Sequence, residues 1–355
     1  MQIDFHHAVT YILARWAGFD QQEAFIIAYS AQYVDDSTYV GSVRFRDGET
    51  YMRTASAHEI IDARNASAIQ DTNTWVPFHF LPGNCGRRHD DPTPPPPFLE
   101  RLECIQNSLI AQDMLAECAS LKQEPHHLHR LGITMHVYAD TWAHQHFTGL
   151  DIKQNDASSL EVTSPKGYKD FLDELATICP TKLGHAQVSC CPDYPFIEWE
   201  YRNHRGKKIT RNNTELFLDA ASHMLAFMRE YQQGGALPSD QGLDATQRDY
   251  LKSAFLSFKS KDAETRHQSW LERIRSGDVP GLNRSGENLS YEKRGTRSWK
   301  YLALGDDDEG RIINNAVQYT PAFMTSDWKL FHDALFFHRV FVLRTLLPRY
   351  GICAA

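Results

Sequence analysis

The segment His136-Val-Tyr-Ala-Asp140-Thr-Trp-Ala-His144-Gln-His146 constrains this chain more than any other stretch. It lies in a run, HHLHRLGITMHVYADTWAHQHF, that is apolar over much of a helical surface and so reads as a buried helix. At about 3.6 residues per turn, His136 and Asp140 sit about 40° apart on one face, and His144 lies about 80° round from His136. His146 falls about 80° to the other side and joins them if the helix ends there, as Phe147-Thr148-Gly149 suggests. Ionisable groups in successive turns of a buried helix are expensive unless a cation compensates them. Imidazole nitrogen and carboxylate oxygen are zinc ligands, and a carboxylate can bridge two ions where an imidazole cannot.

Helical spacing recurs through most of the chain. A first helix is expected from Asp4 as N-cap to Ala17, with Gly18 as its stop. A second opens at Asp20, where Glu23 completes a capping box, and runs to about Asp35. Ser56 and Glu59 mark a short helix, AHEIIDARN, and others are expected at 99–121, 166–178, 213–232, 244–258, 261–275 and 325–346. The window DDPTPPPPF must be extended because proline cannot continue a helix. Residues 276–312 lack a period and read as a long loop, while 38–54 alternates around an Asp-Gly turn. The expected fold is all-α, a multi-helix bundle with small β decorations and long loops. Residues 1–235 would form the metal-binding catalytic core, and 236–355 a helical extension packed on it.

With 355 residues the chain can bury a large core, and its net charge of −8 argues against a dedicated nucleic-acid binder. No run approaches the ~18 apolar residues of a membrane span. The opening MQIDFHHAVTY has no cationic leader and apolar core, so a cytoplasmic location, or export without an N-terminal signal peptide, is expected. The seven cysteines show no CxxC pair and read as reduced thiols, whereas 17 histidines are numerous enough to ask where they fall. No GxSxG, GxGxxG or GxxxxGK[ST] motif appears, which disfavours protein nucleophiles and nucleotide loops.

The HxxxD pattern followed by a histidine resembles the ligand helix of zinc-dependent bacterial phospholipase C and of the fungal single-strand nucleases. Its HxxxDxxxH spacing is also similar to the heterokaryon-incompatibility C proteins of that superfamily, and the MQIDFHHAVTY opening resembles an uncharacterised bacterial family. The resemblance runs over roughly residues 1–230 and is specific only at 136–146. It implies an all-helical fold in which clustered zinc ions hydrolyse phosphate esters.

Carried over by position, the resemblance makes His136 and Asp140 ligands, Asp140 bridging two ions, followed by His144 or His146. The histidine of the first helix matches His6 or His7, with Asp4 nearby. The aspartate after the second helix matches Asp35 or Asp36, which would hold an ion and polarise the attacking water. The isolated histidine of the next motif matches His79, with His58 as the alternative.

The chain departs from the family's pattern in lacking a second HxxxE or HxxxD pair at the expected place, and nothing generates the processed N-terminal tryptophan of the secreted relatives. His185 with Asp193 is the favoured source of the remaining ligands, ahead of Asp219 with His223, and two ions are the safer expectation than three. The implied activity is a phospholipase C-like or phosphodiesterase reaction on a small-molecule or lipid phosphate ester. The rivals are a metal-dependent amidase or lactonase and a non-catalytic, metal-stapled interaction protein. Aromatics at 74–80 and 195–201 could furnish an apolar rim for a lipid.

Overall fold

The structure, a computed structural model, describes residues 1–58, 68–165, 183–235 and 241–353. The helices expected in AHEIIDARN and over 166–178 lie outside these residues. The chain opens as a π-helical turn, Asp4–Val9, that runs directly into α1, Thr10–Trp16. Gly18 follows with φ +100°, the left-handed conformation that a Cβ disfavours, and stops the helix as anticipated. α2, Gln21–Asp36, begins with the anticipated capping box between Asp20 and Glu23. β1, Gly41–Arg44, and β2, Thr50–Arg53, form the hairpin around Asp47-Gly48.

Three helices follow: α3, Ala68–Phe78, α4, Phe98–Arg101, and α5, Leu109–Ser120. The single helix expected at 99–121 is therefore broken. Cys104 pairs as an isolated bridge with Pro82, Asn107 takes φ +47°, and Ser108 caps a fresh start by accepting from the Ala111 amide. α6, His127–Ala143, is the ligand helix, and all its residues from His129 to Ala143 are buried.

The all-α expectation is overturned here. β3, Ala157–Ser164, β4, Glu198–Asn203, and β5, Lys208–Asn212, make an antiparallel three-stranded sheet in addition to the hairpin, so the fold mixes helix with two small sheets. The cause is legible in β4. Trp199 and Tyr201 point into a buried aromatic cluster while Glu198 and Arg202 face water, the period-two pattern of a half-buried strand. Phe196, Trp199 and Tyr201 thus belong to a core rather than to a lipid-facing rim.

Further helices among the described residues are α7, Asn213–Gln233, α8, Ala245–Ser257, α9, Ala263–Ser276, α10, Trp299–Leu304, α11, Glu309–Asn314, and α12, Asp327–Phe341, which continues as a π-helical turn, Val342–Leu346, and a last turn, Leu347–Arg349. α10 and α11 interrupt the stretch expected to be a long loop. The largest buried cluster reaches from Met1 to Ile352, so α8, α9 and the C-terminus share it with the N-terminal helices. No helix among the described residues is long and apolar enough to cross a membrane.

Two features position the site. α2 and α6 approach so closely at Gly132 that a Cβ there would lie 2.3 Å from the Ile27 carbonyl oxygen and 2.6 Å from the Ser30 Cβ. The π-turn is held by α9, where Arg266 donates to both carboxylate oxygens of Asp4, at 2.7 and 3.2 Å. Gly132→Ala is expected to force the two helices apart and destabilise the fold by about 1–3 kcal/mol, read as a lower denaturant midpoint. A midpoint equal to the parent's would refute the tight approach.

Stability should also fall with pH for a reason visible on α12. Burial, reinforced by Arg53, holds His332 down at about 3 from an ordinary 6.5. Below about pH 6.5 the unfolded chain takes up a proton there that the folded chain refuses, so stability present above that pH is lost towards pH 3. Thermal midpoints recorded from about pH 7 to 5 should decline, and less steeply in His332→Leu.

Candidate metal centre

Five histidines and three aspartates converge where the π-turn, the ends of α2 and α3, and α6 meet the segment that precedes β4. Their nitrogen and carboxylate atoms form three groups: His6 with His136 and Asp140, Asp35 with His79 and His136, and His144 with His185 and Asp193. Within each group the candidate ligand atoms lie within 4.8 Å of one another. His6 Nε2 is 3.2 Å from Asp140 Oδ1, and His136 Nε2 is 3.3 Å from Asp140 Oδ2. His136 Nε2 and His79 Nδ1 are 3.2 Å apart, each 3.8 Å from Asp35 Oδ1. A tetrahedral zinc ion with ligands at ~2.0–2.1 Å spaces them ~3.3 Å apart, close to these distances.

The orientation of the imidazoles is more telling than their proximity. His136 Nδ1 donates to the Ala31 carbonyl at 2.7 Å and His79 Nε2 to that of Ser56 at 2.9 Å. His144 Nδ1 donates to the His79 carbonyl at 2.7 Å, and His185 Nδ1 to that of Ser189 at 2.8 Å. A carbonyl can only accept, so each of these nitrogens carries the proton of the neutral ring. In the neutral ring the other nitrogen presents a lone pair, as ligating histidines do. At His136 burial opposes a second proton, but the Asp140 and Asp35 carboxylates favour one in the place a cation would take. For His136 and His79 those lone pairs face each other and two carboxylates. Without a positive charge between them the arrangement is repulsive. His6 is buried, its ring stacked on His136 with centroids 3.9 Å apart, and neither of its nitrogens makes a hydrogen bond among the described residues. An orphaned buried imidazole beside a carboxylate fits a metal ligand.

Asp140 is the hub. Burial would raise it, but His144, the Met1 ammonium, His136 and His6 hold it well below the usual carboxylate range. The Met1 amino group donates to Asp140 Oδ1 at 2.7 Å and lies 3.4 Å from Asp193. Burial drives His6 and His144 well below the ordinary imidazole value, which keeps them neutral and able to ligate. His136 appears in two of the groups, and its single free nitrogen can serve only one ion.

The structure separates the paired alternatives. His6 faces the group, whereas His7 Nδ1 meets His267 Nε2 at 2.9 Å on the opposite side. Asp35 faces it, whereas Asp36 accepts from Tyr291 at 2.6 Å and pairs with Lys293 at 2.7 Å. His144 faces it, whereas His146 lies past the end of α6 at φ +70°, outside the three groups. Burial and the neighbouring Arg211, Lys207 and Arg205 push His146 down to about 4, a setting hostile to a cation. Asp4 is committed to Arg266. Asp219 accepts from the Trp142 indole at 2.7 Å, and His223 bonds to the Asp219 carbonyl, so this pair stays outside the site.

A cavity of about 370 Å³ opens onto the centre. Asp35, His79, Asp140, His144, His185 and Asp193 line it, with Trp75 and Phe80 as an apolar wall and His58 beside them. Among the described residues, no lysine or arginine side chain lines it. Phe80 is pinned by Gly184, where φ is +56° and an added Cβ would fall 2.3 Å from the ring. Trp75 and Phe80 fall within the aromatic stretch 74–80 expected to furnish an apolar rim, whereas the Met1 amine and the carbonyls that orient the imidazoles were not read from sequence. Carbonyls carry no sequence signal, since every residue has one.

Residues 1–346 match the model of a family of unknown function (DUF6765). No curated protein and no solved structure matches the chain.

Metal analysis of protein purified without added zinc should find bound divalent metal, and prolonged chelation should lower the melting temperature. His144→Ala is expected to reduce the metal content, whereas His146→Ala leaves it unchanged. The reverse pattern would place the centre on the other side of α6.

Proposed function

The chain belongs to the DUF6765 family, and we propose that it is a metal-dependent hydrolase of phosphate esters, with zinc as the ion the ligand set best fits. The observation that carries this reading is the set of four imidazoles, each bonded to a carbonyl on one side and aimed at shared carboxylates on the other. His6, His79, His136, Asp140, His144, His185 and Asp193 would hold the ions, with the two oxygens of Asp140 free to serve different ones. Bound there, such ions would lower the pKa of water towards neutrality and neutralise charge on a phosphate oxygen.

The chain's own residues supply the rest. The Asp35 side chain is about a third exposed, 32%, and lines the cavity, so its carboxylate can orient a water and take up its proton. Trp75 and Phe80 offer flat apolar surface for the organic part of the ester. Because the described lining has three carboxylates and no lysine or arginine side chain, an anionic substrate would be drawn in by the ions as well as react at them. A small or lipid phosphate ester fits this site better than long nucleic acid, which needs basic tracks.

Hydrolysis of bis-p-nitrophenyl phosphate tests the reading. Activity should appear with bound metal, disappear in Asp140→Asn, and fall by roughly two to four orders of magnitude in Asp35→Asn. Chelation should abolish substrate binding together with turnover. Hydrolysis of amides or lactones but of no phosphodiester would move the chemistry to carbonyl substrates. Bound metal that supports stability without any hydrolysis would make the ion a staple between the π-turn and α6, a reading favoured by the near-complete burial of His6, His136 and Asp140.

A further inference from the structure

A second cleft, of about 440 Å³, lies between the proline-rich segment and the turn at the C-terminal end of the chain. None of its lining residues belongs to the metal groups. Among the described residues four arginines line it, Arg87, Arg88, Arg101 and Arg349, against one carboxylate, Asp91, in a chain whose net charge is −8. Such a local excess of guanidinium against the overall charge calls for an anion.

Arg101 gives the cleft its direction. It is buried, 8% exposed, and its partners among the described residues are uncharged: Nε donates to Asn84 Oδ1 at 2.8 Å and Nη2 to the Tyr350 carbonyl. A buried cation without a counter-charge is costly, and an anion in the cleft would relieve that cost. Arg87 is fixed as a wall, its donors spent on Asp91 at 2.9 Å and on the carbonyls of Pro94 and Thr93. Arg88 pairs with Asp90, and Arg349 lies 3.5 Å from Asp113. These are exposed ion pairs of little worth, which a multiply charged ligand can displace.

We propose that this cleft binds a phosphate-type oxyanion, free or as the terminal group of a small ester. Guanidinium forks match the oxygens of a tetrahedral oxyanion in pairs, and the volume lies at the small end of the ~300–1,000 Å³ range of small-molecule sites.

Calorimetric titration of the full chain with inorganic phosphate and with glycerol 3-phosphate tests this. Saturable binding is expected, weakened about tenfold in Arg101→Gln, since a charge-assisted bidentate contact is removed. Because Arg101 is buried, the exposed pair Arg88→Gln with Arg349→Gln gives an independent test that leaves the core untouched, with an expected loss of at least about fivefold. Tighter binding of glycerol 3-phosphate assigns the site to an ester, and equal binding assigns it to the free anion. Phosphate held only at the metal centre would persist in every arginine variant and vanish on chelation. That result, or no saturable binding at all, overturns the proposal without touching the metal-centre reading.

Discussion

Four backbone carbonyls, those of Ala31, Ser56, His79 and Ser189, each take an imidazole N–H and thereby decide which way the ring faces. The rest of the centre follows from this. With their protons turned outward, the rings present bare nitrogens to Asp35, Asp140 and Asp193, and the pocket acquires an electron-rich interior. The carbonyls are themselves held. Ser56 donates its amide to the Ser37 carbonyl and its hydroxyl to that of Val34, so the loop after β2 is fastened to the end of α2 beside Asp35. The strand hairpin therefore serves the site indirectly, by fixing where the following loop returns.

The C-terminal third takes part in the same construction. Glu287 accepts from Tyr11 at 2.6 Å and from Arg15 at 2.8 Å, while Arg266 on α9 grips Asp4. Both contacts fall on the N-terminal helix that carries His6. A π-helical turn is an uncommon and costly conformation that often marks functional positions, and here it is clamped from two sides. Residues far along the chain thus set the position of a ligand near its start.

Much of this was legible in the sequence, in uneven ways. The capping box at Asp20, the stop at Gly18 and the burial of α6 follow from local chemistry, and the structure reproduces them. The stripe of His136, Asp140 and His144 was readable because one helix carries it. Choosing His6 over His7, or Asp35 over Asp36, needed the packing of α1 and α2 against α6, which neighbouring residues cannot encode. His146 was misleading for a related reason: the left-handed turn after His144 aims it away, and only the tertiary contact of its amide with the Cys104 carbonyl reveals that turn. The all-α expectation failed because the strands of 157–164 and 198–212 are short and earn their place by covering an aromatic cluster, a non-local cause.

Gly184 bears on the width of the cavity rather than on its chemistry. Phe80 stacks against His144 on one side and is stopped by the bare α-carbon of Gly184 on the other. Any side chain at that position would drive the phenyl ring inward over the imidazoles, narrowing the mouth through which a ligand must pass. The bore of the entrance is thus written at a residue that has no side chain and takes no part in the reaction.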